Sequence, residues 1–179
     1  MPMLRVLPWA LCAALALFSF ATYGSLPESI PQHFDAAGNV TSATARSPWS
    51  WAAIPIIAVV TQLALAALSA ALVRRPHLFN FPEKERFLKI PAAYQGPVIN
   101  RMREMLDLAS AFMVLVFAVV QFMIWRAALG HSTEGLSIGL VVGPIMVTPG
   151  LLIMISRVNG AVDEAERLWK ANDREKSAR

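Results

Sequence analysis

Four long runs of residues without a charged side chain constrain the fold of this chain more than any other feature. The first run, 6–24, would measure about 28 Å as a helix at roughly 1.5 Å per residue, which is close to the thickness of the hydrocarbon core of a bilayer. Only 16% of the 179 residues are charged, whereas soluble domains contain about 25%. We therefore predict a single-domain, all-α integral membrane protein with four transmembrane helices over 6–24, 51–73, 108–126 (which ends on Arg126) and 136–156.

The distribution of Lys and Arg residues predicts the orientation of these helices. Segment 74–107 is rich in both, whereas the loop 25–48 contains only Arg46 and the loop 127–137 contains neither. Basic segments of membrane proteins remain in the cytoplasm. We therefore predict that segment 74–107, the tail 157–179 and both termini are cytoplasmic, in the inner membrane of a bacterium. This pattern also explains the net charge of +4 without a nucleic-acid partner.

The first apolar run has two interpretations. Arg5 and the sequence Ser19-Phe20-Ala21 would suit a cleaved signal peptide. The run is long for the apolar region of such a peptide, and Trp9 and Tyr23 near its two ends suit an interfacial position. We favour a retained span, and the loop that follows it lies outside the cytoplasm in either case.

Prolines predict how segment 74–107 is divided. Pro82 can open a short helix over Glu83–Ile90, and Pro91 ends it. Pro97 can open a second helix. That second helix either lies at the membrane surface or leads directly into the third span.

The last part of the chain contains several residues that disfavour a continuous helix. Pro144, Pro149 and Gly150 predict a kinked or broken helix within the fourth run. Asn159-Gly160 predicts a break after that run, before a charged helix over Asp163–Lys176.

The loop 25–48 has a constrained backbone. Pro27 and Pro31 fix φ locally, and Gly38 can adopt a positive φ at little steric cost. The loop is therefore predicted to be neither a long helix nor a central strand, but a shaped surface loop.

Two histidines and two acidic residues in the outer loops are weak candidates for metal ligands. His33 and Asp35 lie in the first outer loop, and His131 and Glu134 lie in the second. Alternatively, His33 forms hydrogen bonds within its own loop and Asp35 caps a turn. We favour this alternative and predict no metal and no cofactor, because the spacing matches no dense ligand motif.

The sequence offers little support for catalysis or proton transport. It contains no Gly-x-Ser-x-Gly or His-Glu-x-x-His motif. The central parts of the four runs contain no ionisable residue of the kind that proton relays require. We therefore predict that the protein is not an enzyme, and a small transporter is the least favoured function.

The pattern Leu26-Pro27-x-x-Ile30-Pro31-x-His33-Phe34-Asp35-x-x-Gly38 directly follows the first run. It resembles the bacterial membrane family called domain of unknown function 1648, which also forms the front part of SdpI-type immunity proteins. The stretch from Phe79-Asn80-Phe81-Pro82 to Pro91 is similar to the cytoplasmic loop of single-domain members. The family loop often closes with a lysine, and Arg46 takes that place here.

The leading hypothesis is a non-enzymatic binding or regulatory function through the outer loop, and the family resemblance adds an immunity-like function by analogy. The expected partners, besides the lipid bilayer, are another membrane protein or an envelope toxin or peptide. The alternative is a structural or assembly subunit, because Gly139/Gly143 and Ala66/Ala70 could pack closely against a partner helix. The candidate ligand-binding residues of the loop are Pro27, Pro31, His33, Asp35, Gly38 and Arg46.

Overall fold

The computed structural model describes residues 2–177, except for the side chains of residues 2, 3, 141, 144 and 146. Five α-helices and one β-hairpin form the described chain, with short 3-10 turns between several of them. The elements are α1 (Pro2–Thr22), β1 (Ser29–Phe34), β2 (Val40–Ala45), α2 (Pro48–Arg74), α3 (Lys84–Lys89), α4 (Gly96–Ala128) and α5 (Glu134–Ser177).

Three helical segments of the described chain are long and apolar enough to cross a membrane. They are Leu4–Ser25, Pro48–Arg74 and Gly96–Ala128. The prediction of a helical, multi-pass membrane protein is confirmed at this level. The fourth predicted span, 136–156, lies within α5 and includes three residues whose side chains fall outside the described part, so it stays a prediction.

In the segment between the second and third spans, the helices begin and end close to the prolines, as predicted. The predicted short helix is present as α3, Lys84–Lys89. The helix that Pro97 was predicted to open is the beginning of α4, which runs without interruption to Ala128. Of the two alternatives for this helix, the one in which it leads directly into the third span is therefore confirmed.

The predicted break at Asn159-Gly160 is wrong, and the fourth run is not broken either; the kink that Pro144 and Pro149 predict within it stays a prediction. α5 is one helix from Glu134 to Ser177 and passes through Asn159-Gly160. A glycine in a helix interior costs only about 1 kcal/mol. The apolar residues on either side of it, Val158 and Ala161, are buried in a hydrophobic core, which offsets that cost.

The chain forms two compact units, and α2, α4 and α5 each contribute residues to both. The first unit contains the chain up to Ala64 together with Leu108–Val147. The second contains Leu65–Asp107 and the chain from Thr148 onward.

Hydrogen bonds between helices hold the first unit together. The indole N–H of Trp51 in α2 donates to the carbonyl of Ser19 in α1, at 2.6 Å. The side-chain amide of Gln121 in α4 donates to the carbonyl of Trp51, at 3.2 Å. Gln121 is the one strongly polar residue near the end of the third run, which predicts a hydrogen bond to another helix. The bond to Trp51 confirms this prediction. Ser110 donates to Gln62 in the same unit.

The second unit has its own hydrophobic core, to which α3, the beginning of α4 and α5 contribute buried side chains. Arg86 of α3 also bridges to α5, with N···O distances of 2.9 Å to Asp163 and 2.6 Å to Glu166. Glu166 accepts further hydrogen bonds from Lys170, and the two cations lower the pKa of its carboxyl group to about 2. The buried core residues are Leu72, Phe87, Ile90, Val98, Met102, Val158, Ala161, Val162 and Ala165.

Glu83, which precedes α3, provides a test of backbone strain in the second unit. Its φ is 62°, in the left-handed region, which costs a non-glycine residue roughly 1–2 kcal/mol. Its exposed ion pair with Arg86, at 3.1 Å, offsets only about 0.2–1 kcal/mol. We therefore expect Glu83→Gly to raise the melting temperature of the detergent-purified protein. Glu85→Gly, within α3, is the control and is expected to lower it; a decrease for both variants would contradict the argument.

Candidate functional site

The loop between α1 and α2 is an antiparallel β-hairpin. The register runs from Ser29 opposite Ala45 to Phe34 opposite Val40, with irregularities on both sides of His33. These strands were not predicted from the sequence, in which the prolines exclude a long helix and a central strand and indicate a shaped surface loop. A sheet of two strands consists only of edges, and edge strands accept proline. Pro31 therefore lies within β1, where it is buried.

The turn of the hairpin is closed by Asp35. One carboxylate oxygen of Asp35 accepts the backbone N–H of Asn39 at 2.8 Å, and the other accepts the side-chain amide of Asn39 at 2.9 Å. These hydrogen bonds hold the pKa of Asp35 below its ordinary value, with the side-chain amide contributing most. Gly38 occupies the turn with a φ of 88°. This geometry confirms the part of the predicted alternative in which Asp35 caps a turn. The other part is wrong, because the His33 side chain forms no hydrogen bond within the described residues.

The tip of the hairpin is docked on the connection between α4 and α5. The hydroxyl of Thr133 donates to the carbonyl of Gly38 at 2.6 Å, and both residues are buried. A Cβ atom on Gly38 would lie 2.5 Å from the hydroxyl of Ser137 and 3.2 Å from the backbone carbon of Thr133. Only glycine fits at this position. Thr133 and Ser137 were not predicted as site residues; the one sequence signal is that Thr133 directly precedes a helix.

The docked hairpin and the α4–α5 connection enclose a groove, which we call the hairpin groove. Its volume is about 670 Å³, within the range of about 300–1,000 Å³ that is typical of ligand sites. Its polar side chains include Asn39, His131 and Glu134, which supply both hydrogen-bond donors and acceptors. The lining residues are Ala37, Gly38, Asn39, Val40, Ala127, Gly130, His131, Ser132, Thr133 and Glu134.

The four weak metal candidates are divided between two places. His131 and Glu134 line the hairpin groove, whereas His33 and Asp35 lie on the hairpin outside this lining. Within residues 2–177, no three His, Cys, Asp or Glu residues are grouped in a way that could hold a metal ion. Of the four candidates, the groove therefore brings together only His131 and Glu134.

The base of the hairpin is fixed to the helices by apolar contacts and by Arg46. Leu26, Ile30 and Trp51 form a buried cluster. The guanidinium group of Arg46 donates to the carbonyl of Leu26, and its central carbon lies 5.7 Å from the centre of the Tyr23 ring. Arg46 thus closes the base of the hairpin, while Asp35 and Gly38 shape its tip.

The family comparison agrees with this segment of the structure. Residues 10–59, which include most of α1, the hairpin and the beginning of α2, match the family described as Domain of unknown function (DUF1648). The resemblance predicted from the loop pattern is therefore confirmed over this range. No curated protein and no solved structure matches the chain.

Proposed function

We propose that the hairpin groove is a ligand-binding site on the outer face of a bacterial inner membrane, and that the protein is a non-enzymatic binding or regulatory protein. The observation that carries the proposal is the docking of Gly38 against Thr133. It joins two loops that are far apart in the sequence into one rigid, polar surface. An immunity-like function, in which the ligand is an envelope toxin or peptide, is one form of this proposal.

The proposed orientation has four spans and both termini in the cytoplasm. A four-span chain places its first and third connections on the same side of the membrane. The contact between the hairpin and the α4–α5 connection supports a position of these two connections on one side of the membrane. The basic segments 74–107 and 157–179 support a cytoplasmic position for the other side.

Subunit assembly is the second candidate function, because one face of α5 has room for a partner. Among the residues whose side chains the structure describes, a Cβ atom added to Gly139 or to Gly143 would have no neighbouring atom within 4 Å. Small residues with open space allow the backbone of another membrane helix to approach closely. In this alternative, the partner binds to α5 and not to the hairpin groove.

The three histidines of the chain provide a matched test of the binding site. His131 lines the hairpin groove, His33 lies on the hairpin, and His77 lies in the segment that we place in the cytoplasm. Each is replaced by alanine in a tagged copy expressed at native level, and co-purifying proteins and peptides are quantified. We expect His131→Ala to reduce capture of the main partner about tenfold, which corresponds to the loss of one good interface contact. His77→Ala is expected to have no effect.

The other outcomes separate the remaining hypotheses. A loss confined to His33→Ala would move the site from the groove to the exposed surface of β1. Equal capture by all three variants would contradict binding at the hairpin end. If Gly143→Leu removes the partner while the histidine variants retain it, the protein is a subunit that assembles through α5.

A further inference from the structure

A second groove lies between α1 and α2, away from the lining of the hairpin groove. We call it the α1–α2 groove, and its volume is about 790 Å³. Its lining includes the buried residues Ser19, Trp51 and Pro55. It also includes the exposed Phe20 and Val60, with 85% and 60% of their surface accessible. Since α1 and α2 are both candidate membrane spans, this groove opens toward hydrocarbon.

The chemistry of the groove suits an acyl chain. The indole N–H of Trp51 is already used by the carbonyl of Ser19, at 2.6 Å. Pro55 has no backbone N–H to offer. The exposed lining residues Phe20, Ile56 and Val60 are bulky, whereas interfaces between membrane helices are enriched in small residues that permit close approach. A flexible hydrocarbon chain fits this lining better than a second helix does.

A positively charged side chain, Arg46, lies next to one end of the groove but is not part of its lining. Tyr23, Gly24 and Pro48 line this end, and the guanidinium carbon of Arg46 lies 5.7 Å from the centre of the Tyr23 ring. Arg46 is the only Lys or Arg residue in segment 25–48. Its contact with the carbonyl of Leu26 uses one of five N–H donors. The remaining donors have the geometry that binds phosphate oxygens in pairs.

We propose that the α1–α2 groove binds one anionic phospholipid, with an acyl chain along the groove and, on Arg46, a headgroup phosphate whose charge is not cancelled by a choline cation. The apolar channel and the cation at its end are the two features that such a lipid requires, and they lie side by side. The site is separate from the hairpin groove, so this proposal does not depend on the proposed function.

Native mass spectrometry of the full-length protein tests the proposal. The protein is presented with an equimolar mixture of phosphatidylglycerol and phosphatidylcholine, and the retained lipids are counted. We expect a preference of about fivefold for phosphatidylglycerol, as one basic residue near a headgroup provides. Arg46→Gln should abolish this preference, and Arg46→Lys, which keeps the charge but loses the paired donors, should retain only part of it. The preference should be unchanged in Arg174→Gln, which alters a cation in the tail.

A second pair of variants tests the position of the acyl chain. Ala52 lines the groove, whereas its neighbour Ala53 is exposed and does not. Ala52→Phe fills the groove and should reduce retention of both lipids, while Ala53→Phe should not. Both variants are first compared with the original protein by size-exclusion chromatography, to establish that they are folded.

Three results would overturn the proposal. The first is equal retention of the two lipids by the original protein. The second is an unchanged preference in Arg46→Gln, which would place the headgroup elsewhere. The third is a dimer that Ala52→Phe dissociates and Ala53→Phe does not, because the groove would then be occupied by a second copy of the chain.

Discussion

Gly38→Ala is expected to release the tip of the hairpin from α5 and to disrupt the hairpin groove. The positive φ of 88° at this position costs alanine roughly 1–2 kcal/mol. The new Cβ atom would also lie 2.5 Å from the Ser137 hydroxyl and 2.9 Å from the Thr133 hydroxyl. Overpacking of this kind typically adds about 1–3 kcal/mol. Together these effects amount to about 3 kcal/mol, and the Thr133 hydrogen bond would be lost with them.

Hydrogen exchange in detergent measures this release directly. Local opening that becomes easier by about 3 kcal/mol accelerates exchange of the affected amides roughly a hundredfold. The acceleration should be confined to the hairpin, Ser29–Ala45, and to the first turn of α5. The central amides of α2 should exchange at their original rate.

Two other glycines separate the causes of the effect. Gly130 also has a positive φ, 77°, but a Cβ atom there would have no neighbour within 4 Å, so Gly130→Ala isolates the backbone strain. Gly24 has neither feature, so Gly24→Ala should be nearly neutral. If Gly38→Ala proves no more disruptive than Gly130→Ala, the hairpin is not held by the close contact with Thr133 and Ser137.

Gln121→Leu should destabilise the first unit by about 2 kcal/mol, because it leaves a buried carbonyl without a donor. In a continuous helix, the carbonyl of Trp51 would accept the N–H of the residue four positions later. That residue is Pro55, which has no N–H. The side chain of Gln121 supplies the missing donor, at 3.2 Å, and is itself fully buried. An unsatisfied carbonyl in such surroundings costs about 1–3 kcal/mol. Part of this cost is offset because leucine also removes the buried Oε1 atom of Gln121, which has no hydrogen-bond partner among the described residues.

A double-mutant cycle with Pro55→Ala distinguishes this explanation from a simple loss of packing. Alanine restores the backbone N–H at position 55, so the carbonyl of Trp51 no longer needs Gln121. We expect Gln121→Leu to cost less in the Pro55→Ala background than in the original chain, by roughly 1 kcal/mol or more in denaturation by a strong detergent. Additive effects of the two substitutions would show that the amide and the proline are not coupled.

The sequence was most informative where a single local property determined the structure. The charge-free runs predicted the three helical segments that are long and apolar enough to cross a membrane. The hydrogen bond of Gln121 was predicted because Gln121 is the one strongly polar residue near the end of its run. The exclusion of a central strand was correct, but it left edge strands open, and Pro31 lies in a sheet that consists only of edge strands, so the hairpin itself was not predicted. The break at Asn159-Gly160 was wrong because tertiary burial outweighed a weak local preference.

The candidate site was predictable only in part. Gly38 was expected to shape a turn, and Asp35 was one alternative for capping it. The close contact between Gly38 and Thr133 joins residues that are 95 positions apart. No periodicity or turn motif encodes a pairing at that distance, so the hairpin groove became visible only in three dimensions.

The bond between Gln121 and Trp51 also has a consequence for biogenesis. The donor lies 70 positions after the acceptor in the sequence. During synthesis, α2 therefore leaves the ribosome with a carbonyl group that has no partner until α4 has been made. The hydrogen bonding of α2 is thus completed only when α4 has been inserted. A chain truncated between α2 and α4 should therefore be a preferred substrate for membrane quality-control proteases.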